Sequence, residues 1–99
     1  LENIVAITLR RKYLDESYFW NSKNAEVDFI VPEEGLAVQV SYSVADVETF
    51  KRETDALIKL SSVQHINRMV VVTKEEENVV EKDGFRIEII PLWKWLLEF

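Results

Sequence analysis

No cysteine occurs among the 99 residues. That excludes a disulfide framework and any thiolate metal site, and it fits a reducing, cytoplasmic setting. The single histidine, His65, excludes a multi-histidine metal centre. A metal here would have to be a hard cation on oxygen ligands, Mg²⁺ or Mn²⁺. Only two glycines and two prolines are present, too few for flexible linkers or low-complexity segments. No apolar run approaches the roughly 20 residues that cross a bilayer, and no signal-peptide pattern occurs, so no membrane partner is expected. No G-x-x-x-x-G-K-[ST] loop is found, which excludes a phosphate-binding P-loop in this chain. Positive charge is also scarce, with 12 Lys and Arg against 18 Asp and Glu, for a net charge of −6. Phosphate-backbone binding rests on cations, so the balance disfavours nucleic acid as a partner. The only dense basic run is Arg10-Arg11-Lys12.

What is present reads as one small globular domain over residues 1–99, with 47% hydrophobic and 30% charged residues. The chain begins at Leu1 with an apolar-periodic segment already under way, and it reads as a fragment of a longer protein. Leu1, Ile4, Val5 and Leu9 predict a helix with the basic run at its C-terminal end. Tyr18-Phe19-Trp20 predicts a short strand, and residues 21–24 a polar turn. Val27, Phe29 and Val31 alternate with Glu26, Asp28 and Ile30; Leu36, Val38, Val40 and Tyr42 alternate with Ala37, Gln39 and Ser41. With Pro32-Glu33-Glu34-Gly35 between them, these two segments predict a β-hairpin. Residues 44–61 predict a helix capped by Asp46 or Ser43, with Val47, Phe50, Leu57 and Leu60 as its apolar stripe and Lys51, Arg52, Glu53 and Asp55 facing elsewhere. Met69-Val70-Val71-Val72 predicts a strand covered on both faces. Residues 74–84 read as an acidic loop or weak hairpin. Phe85 to Ile90 reads as a last strand, stopped by Pro91, and 92–99 as a short helix. The predicted fold is α/β (α+β), a central mixed sheet flanked by helices in the order α-β-β-β-α-β-β-α, with a parallel crossover after the hairpin.

If Val31 and Leu36 close the turn, paired positions sum to 67. Asp28 then faces Gln39 and Glu26 faces Ser41, which gives one polar cluster on one hairpin face. Converging oxygens of this kind can hold a hard divalent ion that polarises a phosphodiester and activates water. The plainer reading is a polar sheet face without a ligand. His65, in Ser61-Ser62-Val63-Gln64-His65, reads as a surface turn residue, and Glu75-Glu76-Glu77 as a solvated turn. Trp93 and Trp95 cannot share one helix face, so one is expected in the core and the other, with Phe99, at a sheet edge or interface.

Taken in order, several motifs line up: Leu1-Glu2-Asn3, Tyr18-Phe19-Trp20, Glu26-Val27-Asp28-Phe29, Val38-Gln39-Val40-Ser41-Tyr42, the helix with Thr49, Arg52-Glu53 and Leu57, and Ile89-Ile90-Pro91-Leu92-Trp93-Lys94-Trp95-Leu96-Leu97. Together they resemble the C-terminal domain of unknown function that follows the AAA+ module in a large family of bacterial and archaeal ATPases. That domain is similar to the restriction-endonuclease-like superfamily, whose motif is PD-(D/E)xK. The resemblance implies Glu2, Asp28 and Gln39 as metal ligands for Mg²⁺ or Mn²⁺, with Asp28, Gln39 and a relocated Lys51 (or Arg52, or more weakly Lys23) as a catalytic set. Ser41 stands where the motif has Lys, and Val27 where it has Pro. A hydroxyl cannot replace the electrostatic role of an ammonium. ATP binding would belong to a preceding module, which is then the expected partner in the same polypeptide. The leading expectation is a catalytically degenerate accessory domain used for partner or intramolecular recognition. The alternatives are an active Mg/Mn-dependent DNA nuclease and an oligomerisation module, such as a homodimer through Trp93 or Trp95.

Overall fold

The computed structural model describes residues 1–13, 18–22 and 25–99. At its centre lies β4 (Arg68–Thr73), whose side chains divide between two cores. Met69 and Val71 pack on one side, Val70 and Val72 on the other. A strand buried on both faces needs apolar residues at every position, which is what this run supplies.

The remaining elements are α1 (Glu2–Tyr13), β1 (Tyr18–Ser22), β2 (Ala25–Val31), a 3₁₀ turn (Pro32–Glu34), β3 (Leu36–Val40), α2 (Val47–Ser61), β5 (Asn78–Lys82), β6 (Phe85–Pro91) and α3 (Leu92–Glu98). The six strands form one sheet in the order β1-β2-β3-β4-β6-β5. β3, β4 and β6 run parallel; the hairpin neighbours at both ends are antiparallel. This is a mixed α+β fold with α2 on one sheet face and α1 and α3 on the other.

Two details differ from expectation. The acidic segment after β4 contains a sixth strand, β5, paired with β6, so the order is α-β-β-β-α-β-β-β-α. Its residues are mostly exposed, which is why no apolar alternation announces it. The second concerns the apolar stripes. On α1 it is Val5 and Leu9 that are buried, while Ile4 is 42% exposed; Val47 at the start of α2 is 78% exposed. The helix α2 begins after Asp46, whose carboxylate accepts from the Thr49 amide at 2.9 Å, as an N-cap should. Trp95 is fully buried and Trp93 is 58% exposed. The Trp95 ring stacks on Phe99 at 3.9 Å, and its Nε1 has no hydrogen-bond partner among the described residues.

Gly35 ties the hairpin turn to the start of β4. It adopts a left-handed φ of 61°, and its carbonyl accepts from the amides of Asn67 and Arg68 at 2.7 and 3.1 Å. A Cβ there would sit 2.6 Å from Asn67 Nδ2. Gly84 also has positive φ, but a Cβ would meet nothing within 4 Å. Gly84→Ala should therefore cost only the backbone strain, about 1 kcal/mol, and Gly35→Ala about 2 kcal/mol or more. Urea midpoints of the two variants check the order.

Candidate functional site

The hairpin register is as expected where the strands pair: Val31 with Leu36, Ile30 with Ala37 and Phe29 with Val38. The ladder stops there. Val27 and Ile30 both belong to the core under α2, while Phe29 and Val31 belong to the opposite core. A strand of period two cannot place residues 27 and 30 on one face, so β2 shifts phase between them. The β1–β2 register slips at the same level, between Tyr18 and Trp20. Such an irregularity re-aims side chains and opens the pairing. The expectation that Val27, Phe29 and Val31 share one face, with Glu26 paired to Ser41, is corrected accordingly.

Side chains fill the opening. Gln39 is 1% exposed. Its Oε1 accepts from the Asp28 amide at 2.9 Å, and its Nε2 donates to the Glu26 carbonyl at 2.8 Å and to the Glu53 carbonyl on α2 at 3.3 Å. The Asp28 carboxylate in turn accepts from the Val40 amide through Oδ2 at 2.8 Å. Asp28 and Gln39 are thus brought together, not as the expected cross-strand pair but with each side chain using an oxygen on a backbone amide. Asp28 Oδ1 has no hydrogen-bond partner among the described residues.

Asp28 borders a cleft of about 290 Å³ with Glu26 and Ala25 of β2, Asn21 and Ser22 of β1, and Arg52 and Glu53 of α2. Glu53 was expected to face elsewhere; its side chain is 15% exposed. Its position in the helix could have disclosed this, because residues 50, 53, 57 and 60 fall at helical spacing on the buried face. Burial pushes the Asp28 carboxyl up; the Val40 amide opposes this, and the charges of Glu2 and Glu26 add to it. Burial likewise pushes Glu53 up, with Asp28 as the next cause, Arg52 opposing and Glu26 adding a little.

The other expected residues lie apart. Glu2 is exposed on α1 and does not line the cleft, although its charge reaches Asp28. Ser41 donates to the Ser43 carbonyl at 2.8 Å and serves the turn after β3. Lys51 is 71% exposed and paired with Asp55 at 2.6 Å, which places it outside the cleft. Among the described residues Arg52 is the cation lining the cleft, 3.7 Å from Glu53. Lys23 lies outside the described residues. His65 is exposed, between α2 and β4. Glu76 was expected in a solvated turn, yet it is half-buried; its carboxylate accepts from the Val44 amide at 2.8 Å and from the Ser43 hydroxyl, joining the loops after β3 and β4. No group of three or more His, Cys, Asp or Glu side chains among the described residues is arranged to hold a metal ion.

Two outcomes follow from this geometry. Gln39→Glu keeps an acceptor for the Asp28 amide but replaces the amino group by a carboxylate oxygen facing two carbonyls, and leaves a buried charge with that single donor. It should destabilise the domain by about 3 kcal/mol or more, read from urea denaturation at pH 7. The raised carboxyls of Asp28 and Glu53 contribute stability that is complete at pH below their ordinary values and is lost as pH rises through the folded-state values. Asp28→Asn keeps an oxygen for the Val40 amide and removes the titration. It should be more stable than the parent at pH 7, and the advantage should vanish near pH 4.

Comparison with known proteins adds a family. An uncharacterised protein of Methanocaldococcus jannaschii is 31% identical over 109 residues, a match that covers all of this chain and 24% of that protein. The chain therefore spans about a quarter of the length of this relative. No solved structure matches. No helix among the described residues is long and apolar enough to cross a membrane. A family model described as a domain of unknown function, DUF4143, matches residues 1–95, and the chain belongs to that family.

Proposed function

We propose that this domain is a nuclease-like accessory domain that no longer cleaves nucleic acid and serves recognition, of a partner or of an ATPase module in the same polypeptide, in the cytoplasm. The observation that carries the reading is the use of the two motif oxygens. Gln39 Oε1 is buried on the Asp28 amide, and Asp28 Oδ2 is held by the Val40 amide. Ser41, where the motif has Lys, is turned to a backbone carbonyl, and Lys51 is held by Asp55. A net charge of −6 and an acidic cleft repel a phosphodiester backbone. The restriction-endonuclease-like fold and the attached AAA+ module are supported by the order and spacing of the sequence motifs.

A second reading has one observation in its favour. Asp28 lines the cleft with Glu26 and Glu53, so a divalent ion would meet carboxylates there, with Arg52 as the neighbouring cation. Calorimetry with Mg²⁺ and Mn²⁺, together with cleavage assays on plasmid DNA, separates the two. Recognition without catalysis predicts no heat of binding at millimolar metal and intact plasmid. Metal-dependent cleavage abolished by Asp28→Ala would overturn it.

A further inference from the structure

Five of the large apolar side chains exposed among the described residues lie on the opposite sheet face, on α1 and α3. On α1, Ile4, Ile7, Thr8 and Arg11 fall at i, i+3, i+4 and i+7 and so form one stripe; Ile4 and Ile7 are 42% and 52% exposed. On α3, Trp93, Leu96 and Leu97 fall at i, i+3 and i+4, and are 58%, 45% and 81% exposed. Between the stripes lies a recess of about 390 Å³ lined by Thr8, Arg11, Lys12, Leu96 and Phe99. The Lys12 ammonium sits 4.7 Å from the centre of the Phe99 ring. Among the described residues, neither Arg10 nor Arg11 has a carboxylate within ion-pair distance. A chain of net charge −6 therefore presents its densest basic run beside a cluster of exposed apolar side chains.

We infer that the α1–α3 face docks an acidic amphipathic helix of a partner protein, seating an apolar side chain against Leu96 and Phe99 and placing carboxylates beside Arg11. The recess supplies the pocket that an apolar anchor needs, and the basic rim selects the sign of the partner's charge. An anionic bilayer fits less well, because a flat surface cannot enter the recess between α1 and α3. A second copy would bring a like-charged Arg10-Arg11-Lys12 rim to a self-complementary contact. The inference rests on the recognition reading and adds to it a surface and the chemistry of its partner.

The test titrates the ¹⁵N-labelled chain with a synthetic amphipathic helix whose apolar face is Leu and whose polar face is Glu. The same peptide with Lys for Glu, and phosphatidylserine vesicles, are run beside it. Amide shifts confined to α1 and α3 are expected, with binding that weakens as salt rises. Leu96→Glu and Arg11→Glu should each weaken binding about tenfold, and Lys59→Glu on α2 should leave it unchanged. Circular dichroism confirms that the variants fold. No binding of the acidic peptide at millimolar concentration, equal binding of the basic peptide, shifts on α2, binding to vesicles instead, or a dimer in sedimentation that Leu97→Glu dissociates would each overturn the inference. Failure of these binding experiments with plasmid still intact in Mg²⁺ would locate the error in the surface; metal-dependent cleavage would locate it in the recognition reading.

Discussion

The side-chain amide of Gln39 is the interaction on which the rest of the site depends. The β2–β3 ladder opens after Phe29 and Val38, which leaves backbone groups of β2 without a strand partner in the interior. Buried peptide groups must be satisfied or the fold loses a few kcal/mol for each. Glutamine offers one acceptor and two donors on a side chain long enough to reach a neighbouring strand. Here it uses all three, on the Asp28 amide, the Glu26 carbonyl and the Glu53 carbonyl. It thereby holds β2, β3 and α2 in one arrangement. Glutamate at this position would have no donor for the two carbonyls.

That stitch sets the electrostatics of the cleft. By fixing Asp28 against Val40 and drawing α2 toward the sheet, it holds Asp28 and Glu53 half-buried beside Glu26. Each carboxylate then loses hydration and feels like charge, so both are pushed up. Arg52 offsets part of this from a side chain that is 69% exposed, where solvent screens most of its effect. The result is a cleft whose carboxyls at Asp28 and Glu53 hold their protons more strongly than free ones.

Much of this was legible in the residues. The Val31–Leu36 closure fixed the paired register, because hydrophobic alternation on both strands allows only one phase near the turn. Asp46 was readable as a cap, and the β4 run as a strand with no polar face. The phase shift in β2 was not legible. Val27 is apolar in either phase, so its type carries no information about which core it enters. β5 was legible only as the hairpin alternative to a loop, because an exposed edge strand with Glu81 and Lys82 has the composition of a loop. Glu53 escaped for the opposite reason: a charged residue at a buried helical position was assigned by its chemistry when its spacing was the better guide. Glu76 shows the limit of reading acidic runs as solvated, since one of three consecutive glutamates is held by a serine and an amide while its neighbour Glu77 pairs with Lys94.

The face carrying α1 and α3 is held by different means, and that bears on what it can do. Arg68 at the start of β4 donates to Glu88 on β6 and to Glu98 on α3, and its guanidinium lies 5.6 Å from the centre of the Phe99 ring. Phe99 stacks on buried Trp95. An isolated surface ion pair contributes little. Here one planar guanidinium bonds two carboxylates and covers an aromatic stack, so several weak terms act on the same few atoms. A seven-residue helix has little stability of its own, and this cluster is what fixes its direction. With α3 fixed, Trp93, Leu96 and Leu97 are presented outward in one geometry rather than many. A surface already ordered before it meets a partner loses less conformational freedom on binding. For the proposed docking on this face, an α3 held in one geometry lowers the ordering cost of binding.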